Sequence, residues 1–254
     1  MARQYIYRSF RGRNCGARLG LMEKIAIFTK SPEPGRVKTR FTPPLNIEDS
    51  STLYTAFFCD CVLKAASIVS QLDIHYDHSS EILKKALRDY FPGGFTNLAW
   101  VEQDNGDLGA RISNVPAPAI ILFADAPTLP VDYIGQAVEL LDGFDIAIGP
   151  AIDGGCYLIG FNPRVEASQS TESLETRFSE IFQSLPWGTS EVSAMIRARA
   201  ELLNLSFGLL PPWYDVDTVS DLKRLKVELE TLPADSPDNC PCTRSVMKYI
   251  ELDA

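Results

Sequence analysis

The segment Ala119–Ala124, with the sequence AIILFA, constrains the fold more than any other part of the chain. A short run of consecutive apolar residues without polar alternation predicts a strand that is covered on both faces. Such strands are typical of the centre of a parallel sheet that carries helices on either side. The rest of the chain alternates short apolar runs with helical periodicity, which is the pattern of βα units.

The predicted elements run through most of the chain. Besides Ala119–Ala124, strands are predicted at Ile25–Thr29, Leu72–Tyr76, Leu98–Gln103, Asp145–Gly149, Cys156–Phe161 and Ser206–Leu210. Helices are predicted over 53–68, 81–90, 134–141, 173–184 and 191–203, and the last long helix begins at Thr218, where Thr218 and Asp221 have capping-box spacing. The sequence therefore predicts an α/β fold with a mostly parallel central sheet.

Length and composition limit the functional classes. The chain has 254 residues and a net charge of -9, which argues against nucleic acid as a partner. The first 22 residues contain five arginines and no acid; we interpret 1–22 as a disordered basic leader rather than a transit peptide. The expected domain is 23–232, followed at 233–254 by a linker and a short terminal helix. The chain has six cysteines but no C-x-x-C pair, and it has no apolar run long enough to span a membrane. These features favour a location in the cytoplasm.

A basic loop follows the first strand. Residues 30–40 contain four basic side chains, although the protein as a whole is acidic. Two prolines stiffen the loop, and Gly35 allows a ligand to approach the backbone closely. Such a loop offers charged donors and backbone N–H groups to phosphate oxygens. A solvated basic loop without a ligand explains the same residues equally well.

Acidic residues follow two of the predicted strands. Asp125 comes directly after the central strand, where a carboxylate can hold Mg²⁺ or Mn²⁺, although it can also cap the turn before Pro127. Asp215 and Asp217 follow the last strand. We expect them to point to opposite sides of an extended segment, so that one faces a metal while the other pairs with backbone.

The loop Asp153–Gly155 joins two strands. Its two glycines leave room for a ligand, but Asp-Gly is also the ordinary chemistry of a hairpin turn. The chain contains neither a G-x-G-x-x-G sequence nor a visible Ser/His/Asp arrangement.

Six segments in this order resemble a bacterial family of nucleotide-diphosphosugar transferases with the glycosyltransferase-A fold, a family linked to arsenosugar biosynthesis. They are IAIFTKSPEPGRVKTRF at 25–41, QDNGDLGARI at 103–112, FADAPTLP at 123–130, GPAIDGGCYLIG at 149–160, PWGTSEV at 186–192 and LLPPWYDVDTVSDL at 209–222. The resemblance implies a Rossmann-like three-layer α/β/α sandwich.

The resemblance also implies roles for individual residues. Asp125 and Asp217 match acidic positions that bind Mg²⁺ or Mn²⁺, and Asp153 matches a position that faces the acceptor. The remaining positions of the implied nucleotide and sugar site are Ser31, Gly35, Arg36, Lys38, Arg40, Gly154, Gly155 and Tyr157.

The expected function is that of a metal-dependent glycosyltransferase, which takes a nucleotide-diphosphate sugar and a small-molecule acceptor. A nucleotidyltransferase of the guanylyltransferase type, which releases pyrophosphate from a nucleoside triphosphate, is the alternative. A non-catalytic nucleotide-binding protein is the third hypothesis, because the helix before the central strand is shorter here than is usual in the family.

Overall fold

The computed structural model describes residues 24–162 and 174–252, and for 174–177 the backbone only. The predicted leader at 1–22 lies outside these residues. The strands are β1 (Lys24–Thr29), β2 (Gln71–Tyr76), β3 (Leu98–Glu102), β4 (Ala119–Phe123), β5 (Ile146–Pro150), β6 (Cys156–Phe161) and β7 (Phe207–Leu209). The helices are α1 (Ile47–Ala66), α2 (Glu81–Tyr90), α3 (Leu108–Ser113), α4 (Val131–Leu141), α5 (Leu174–Phe182), α6 (Val192–Leu202), α7 (Val219–Thr231) and α8 (Pro241–Met247).

The described strands form one sheet in the order β3-β2-β1-β4-β6-β5-β7. Only β6 runs antiparallel to its neighbours, β4 and β5. The carboxyl ends of β1, β2, β3, β4, β5 and β7 therefore share one edge of the sheet, and β6 begins there. Loops that follow these strands are brought together at that edge, which is where ligands of open α/β sheets bind.

Side chains of each strand alternate between the two faces of the sheet. In β1, Ile25 and Ile27 pack with α1, α2 and α4, whereas Ala26 and Phe28 pack with α3, α5 and α6. The sheet thus lies between two layers of helices, and the predicted three-layer α/β fold is confirmed. The segment Ala119–Phe123 is the buried central strand β4, as its unbroken apolar sequence predicts.

The C-terminal helix α8 is attached to the core by a buried acid. The carboxylate of Asp60, in α1, accepts hydrogen bonds from the backbone N–H groups of Cys242 (3.0 Å) and Thr243 (2.7 Å) at the start of α8. Burial raises the pKa of Asp60, although these bonds favour its ionised form. Cys242 and Met247 lie in the core, so α8 is packed against the domain.

One turn further along α1, a buried lysine supports the loop that follows β4. The Nζ atom of Lys64 donates to the carbonyl oxygens of Pro127 (2.7 Å) and Leu129 (3.0 Å). In the described part of the chain, no helix has the length and apolar character needed to cross a membrane.

Candidate functional site

Two distant segments meet at the carboxyl edge of the sheet. Asp125 follows β4, and its backbone carbonyl accepts a hydrogen bond from the N–H group of Val216 at 2.9 Å. This bond places the segment between β7 and α7 beside the loop after β4. The basic loop after β1 adjoins both, because β1 and β4 are neighbours in the sheet.

Lys38 joins the two acids that the sequence singles out. Its Nζ atom donates to Oδ1 of Asp125 and, at 2.6 Å, to Oδ1 of Asp217. The side chain of Lys38 is only 5% exposed, whereas those of Asp125 and Asp217 are 38% and 43% exposed. The acids therefore converge, but on a lysine of the chain itself. Their role as metal ligands stays a prediction.

The charges in this triad stabilise one another. Burial alone lowers the pKa of Lys38, but Asp125 and Asp217 outweigh it and hold the pKa above the ordinary value of 10.5. Burial raises the pKa of Asp217, but Lys38 and the nearby cations Arg40 and Lys30 bring it below the ordinary value of 3.8. Lys38 is therefore a permanent cation at neutral pH.

Asp215 lies on the same side of its segment as Asp217. Tyr214 and Val216 are buried in the core, and the two acids alternate with them. The expectation that the acids point to opposite sides is wrong, because residues two positions apart in an extended segment share a face. Burial first, and then the charges of Asp125 and Asp217, raises the pKa of Asp215 to about 8.

The Oδ1 atom of Asp215 is buried and, among the described residues, has no hydrogen-bond partner. Lys38 is bonded to Asp125 and Asp217 only, so a third carboxylate near them leaves an excess of negative charge if all three acids are ionised. The same residues include no set of three His, Cys, Asp or Glu side chains that forms a ready-made metal site. The donors suit a hard divalent cation whose remaining ligands are waters and substrate phosphates, as is usual for Mg²⁺.

The basic loop is held in place by the loop after β2. The N–H group of Ser31 donates to Asp77 Oδ1 at 2.6 Å, and the Ser31 hydroxyl donates to the carbonyl of Ser79 at 2.8 Å. Both donors of Ser31 are therefore used inside the protein, so this residue shapes the loop instead of presenting its donors to a ligand as expected. Asp77 is missed by the sequence analysis, although an acid directly after a strand is a usable signal.

The exposed part of the loop carries the other predicted contacts. Gly35 has a φ of 81°, a left-handed conformation that favours glycine, and Arg36 and Arg40 are exposed beside it. Arg40 is close enough to Asp217 to lower its pKa. The loop thus presents an exposed basic surface next to the carboxylates.

The loop Asp153–Gly155 packs against the segment before α6. Gly154 has a φ of 94°, and a Cβ atom there would lie 2.1 Å from the carbonyl oxygen of Ser190. The Oδ1 atom of Asp153 accepts from the N–H group of Gly155 at 2.9 Å, and the Asp153 side chain is exposed. Asp153 also raises the pKa of Asp215, so this loop borders the carboxylate cluster.

Tyr157 does not face the edge of the sheet. It is completely buried, and its hydroxyl donates to the carbonyl of Pro211 at 2.8 Å. The expected contact of Tyr157 with a sugar or acceptor is therefore wrong. Its side chain instead supports the segment that carries Asp215 and Asp217.

Residues 65–189 match the model of a family described as an uncharacterized protein conserved in bacteria (DUF2064). No curated protein matches the chain significantly. A solved structure of a candidate nucleotide-diphospho-sugar transferase from Desulfovibrio desulfuricans G20 is 27% identical, with a TM-score of 0.70 over 91% of this chain and 98% of that chain. A cytidylyltransferase from Leptospira borgpetersenii is 12% identical, with a TM-score of 0.52 over 92% and 100% of the two chains.

Both comparisons confirm the fold class. The similarity to the Desulfovibrio protein bears out the prediction of a transferase. At 12% identity the cytidylyltransferase shows the shared fold alone. The Desulfovibrio protein is similar over nearly the whole length of both chains.

Proposed function

We propose that the chain is a metal-dependent glycosyltransferase that uses a nucleotide-diphosphate sugar as donor. The observation that carries the proposal is the meeting of Lys38, Asp125 and Asp217 beside an exposed basic loop at the carboxyl edge of the sheet. Cations and carboxylates so arranged suit a diphosphate that is bound together with a divalent cation. The similarity to the Desulfovibrio protein supports the same donor class.

Asp125 and Asp217 would hold Mg²⁺ or Mn²⁺ in this proposal. Their side chains are 38% and 43% exposed, so both are open to a ligand from the solvent side. When bound, the cation would neutralise negative charge on the diphosphate. Asp125 and Asp217 would also keep Lys38 oriented, because each accepts a hydrogen bond from its Nζ atom.

The basic residues would bind the diphosphate and stabilise the leaving group. The exposed side chains of Arg36 and Arg40 can each offer several N–H donors to phosphate oxygens. Lys38 holds a fixed positive charge in a water-poor position, where electrostatic stabilisation of developing charge is strong. Asp153, exposed at the border of the cluster, would orient the acceptor hydroxyl.

The nucleotidyltransferase alternative uses the same side chains. In that reaction, Lys38 and the arginines would stabilise charge on the α-phosphate and the departing pyrophosphate. The product therefore distinguishes the two reactions: a nucleoside diphosphate indicates sugar transfer, whereas pyrophosphate indicates nucleotidyl transfer. A link to arsenosugar biosynthesis remains a prediction from the resemblance.

A thermal-shift panel tests the proposal. The purified protein is heated with each common nucleoside diphosphate and its sugar derivatives, with and without MnCl₂, because a ligand bound only by the folded state raises the melting temperature. We expect at least one sugar nucleotide to raise it in the presence of Mn²⁺, and Asp125→Asn to abolish the rise. Asp142→Asn, at an exposed acid after α4, is the matched control and should behave as wild type.

No shift with any nucleotide would overturn the proposal and favour a protein without nucleotide chemistry. A shift with nucleoside triphosphates only, followed by pyrophosphate release, would replace it with the nucleotidyltransferase. Equal shifts in the wild type and Asp125→Asn would remove Asp125 from the site.

A further inference from the structure

Tyr54 extends from α1 to the start of the basic loop that follows β1. Its hydroxyl oxygen accepts a hydrogen bond from the N–H group of Lys30 at 3.0 Å and lies 3.1 Å from Oγ1 of Thr29. Thr29 is the last residue of β1, so both contacts are made where the strand passes into the loop. Burial raises the pKa of the Tyr54 hydroxyl, which therefore keeps its proton at neutral pH.

The same side chain also lies beneath the far end of the loop. The Nζ atom of Lys38 is placed over the Tyr54 ring, 5.5 Å from its centre. Val37 and Phe41, which flank Lys38 in the chain, are buried in the same apolar cluster as Tyr54. One residue of α1 thus contacts the loop where it begins and supports the lysine that bonds to both acids.

Lys38 has a backbone conformation that its surroundings have to impose. Its φ of 47° and ψ of 40° lie in the left-handed region, which residues other than glycine seldom adopt. Such a conformation is unfavourable and persists only where neighbouring structure determines it, most often at functional sites. Buried Val37 and Phe41 hold the backbone on either side, and Tyr54 connects this end of the loop with its start.

We propose that Tyr54 is the positioning residue of the basic loop: its hydroxyl fixes the start of the loop, and its ring holds the ammonium group of Lys38 in place. The inference rests on the proposed function, in which Lys38 stabilises charge on the diphosphate. Tyr54 acts through Lys38 and the loop backbone, not through the substrate. A tyrosine that only filled the core could be shortened without moving Lys38, and this difference can be measured.

The reactivity of the Lys38 ammonium group reports its position without any ligand. N-hydroxysuccinimidyl acetate acetylates unprotonated lysine side chains, and mass spectrometry gives the rate at each lysine. Lys64 is the internal reference, because it is also buried in α1 but lies about three helical turns beyond Tyr54 and donates to the loop after β4. The ratio of the two rates separates a local change at Lys38 from a general loosening of the fold.

Four proteins are compared: the wild type, Tyr54→Phe, Tyr54→Leu and the control Tyr90→Phe. Tyr54→Phe removes only the hydroxyl, whereas Tyr54→Leu also removes the ring. Tyr90 is a partly buried tyrosine of α2 whose hydroxyl lies 3.4 Å from Ser245, so the control also removes a paired hydroxyl.

We expect the labelling of Lys38 relative to Lys64 to rise at least about fivefold in Tyr54→Leu and about two- to threefold in Tyr54→Phe. The control should match the wild type. Equal rises at both lysines, or no rise at Lys38, would overturn the inference. If Tyr54→Leu does not fold, Tyr54→Phe decides, and a labelling ratio equal to that of Tyr90→Phe would overturn the inference.

Calorimetry with sodium pyrophosphate and MnCl₂ connects the position of Lys38 to diphosphate binding. We expect the affinity to fall from the wild type to Tyr54→Phe and further to Tyr54→Leu, and to be unchanged in Tyr90→Phe. Unchanged affinity in both Tyr54 variants would overturn the inference and leave the proposed function standing. Absence of binding by the wild type would instead count against the proposed function, while the labelling ratio still decides whether Tyr54 positions Lys38.

Discussion

Replacing Lys38 by methionine removes the cation that joins Asp125 and Asp217 and leaves an unbranched apolar side chain that is slightly shorter. Asp125 and Asp217 then lose the positive charge between them, and of the cations named near Asp217 only Arg40 and Lys30 remain. The Nζ atom of Lys38 lies 5.5 Å from the centre of the Tyr54 ring. An apolar methionine side chain can pack against the same ring. The effect of the substitution is therefore mainly electrostatic.

The expected loss of stability follows from the exposure of the partners. Breaking a fully buried ion pair by removing one member costs about 3–5 kcal/mol, because the other charge is left buried. Here the abandoned carboxylates are 38% and 43% exposed, so water offsets part of that loss. We expect Lys38→Met to lower the free energy of unfolding by about 1–3 kcal/mol at pH 7. The melting temperature should fall by roughly 3–10 °C at this domain size.

The loss should depend on pH with a defined sign. The pKa of Asp217 in the folded protein lies below its ordinary value of 3.8, so its contribution is present above that pH and disappears as the pH falls through the folded value. The raised pKa of Lys38 contributes stability that is fully present below 10.5. The difference between wild type and Lys38→Met should therefore be largest between about pH 5 and pH 10 and shrink below pH 4.

Urea unfolding followed by tryptophan fluorescence at several pH values measures this difference. Lys85→Met is the matched control: Lys85 lies 2.6 Å from Asp89, but their side chains are 72% and 59% exposed. The control should cost less than about 1 kcal/mol. Two results would refute the electrostatic account. One is a Lys38→Met protein that is as stable as Lys85→Met at pH 7. The other is a loss of unfolding free energy, relative to wild type, that is the same at pH 7 and pH 3.5.

Three further expectations can be measured with the same methods. Gly154→Ala should destabilise the protein by about 2 kcal/mol or more, because Gly154 has a positive φ and the new Cβ would clash with Ser190. Gly143→Ala is the control and should be nearly neutral, because its Cβ would lie 3.7 Å from the nearest carbonyl oxygen. Equal melting temperatures of the two variants would contradict this expectation. Asp60→Asn should weaken the attachment of α8 by about 2 kcal/mol and speed tryptic cleavage within that helix, since it removes a charged acceptor; an unchanged cleavage rate would count against it. Without a bound metal, the pKa of Asp215 is about 8 in the folded protein and has the ordinary value of 3.8 in the unfolded chain. Between these values the folded protein keeps a proton on Asp215 that the unfolded chain has lost. Wild-type stability should therefore fall relative to Asp215→Asn as the pH rises from about 4 to about 8. Parallel pH profiles of the two proteins would be inconsistent with a raised pKa of Asp215.

The fold was accessible from the sequence because its signals are local. The apolar run at Ala119–Phe123 forms the buried central strand, and β1 and β2 coincide with the predicted strands to within one residue. The capping box at Thr218 and Asp221 also forms as predicted. Propensity, periodicity and capping each depend on residues a few positions apart, and each is therefore visible in one chain.

The site was accessible only in outline. Acids that follow parallel strands must approach the same edge, so the meeting of Asp125 and Asp217 could be expected. The basic loop after β1 must reach the same edge as well, but the sequence does not show that its Lys38 bonds to both acids, because the partners are 87 and 179 positions away and no periodic pattern marks such contacts. Tyr157 shows the opposite error: its position in a motif suggested a ligand contact, but burial is decided by packing that the motif does not contain.

The attachment of α8 has a consequence for the order in which the protein is assembled. The thiol of Cys240 donates to the carbonyl of Pro127 at 3.1 Å, beside the bonds from Lys64, so the support beneath the loop after β4 includes a residue that follows every described strand in the chain. A ribosome that has released the chain only as far as Thr231 has delivered every strand of the sheet described here, but not that support. The loop after β4 therefore gains this support only after the last strand of the sheet has been made, and a nascent chain that stalls between Thr231 and Cys240 would carry the described strands with that loop unsupported.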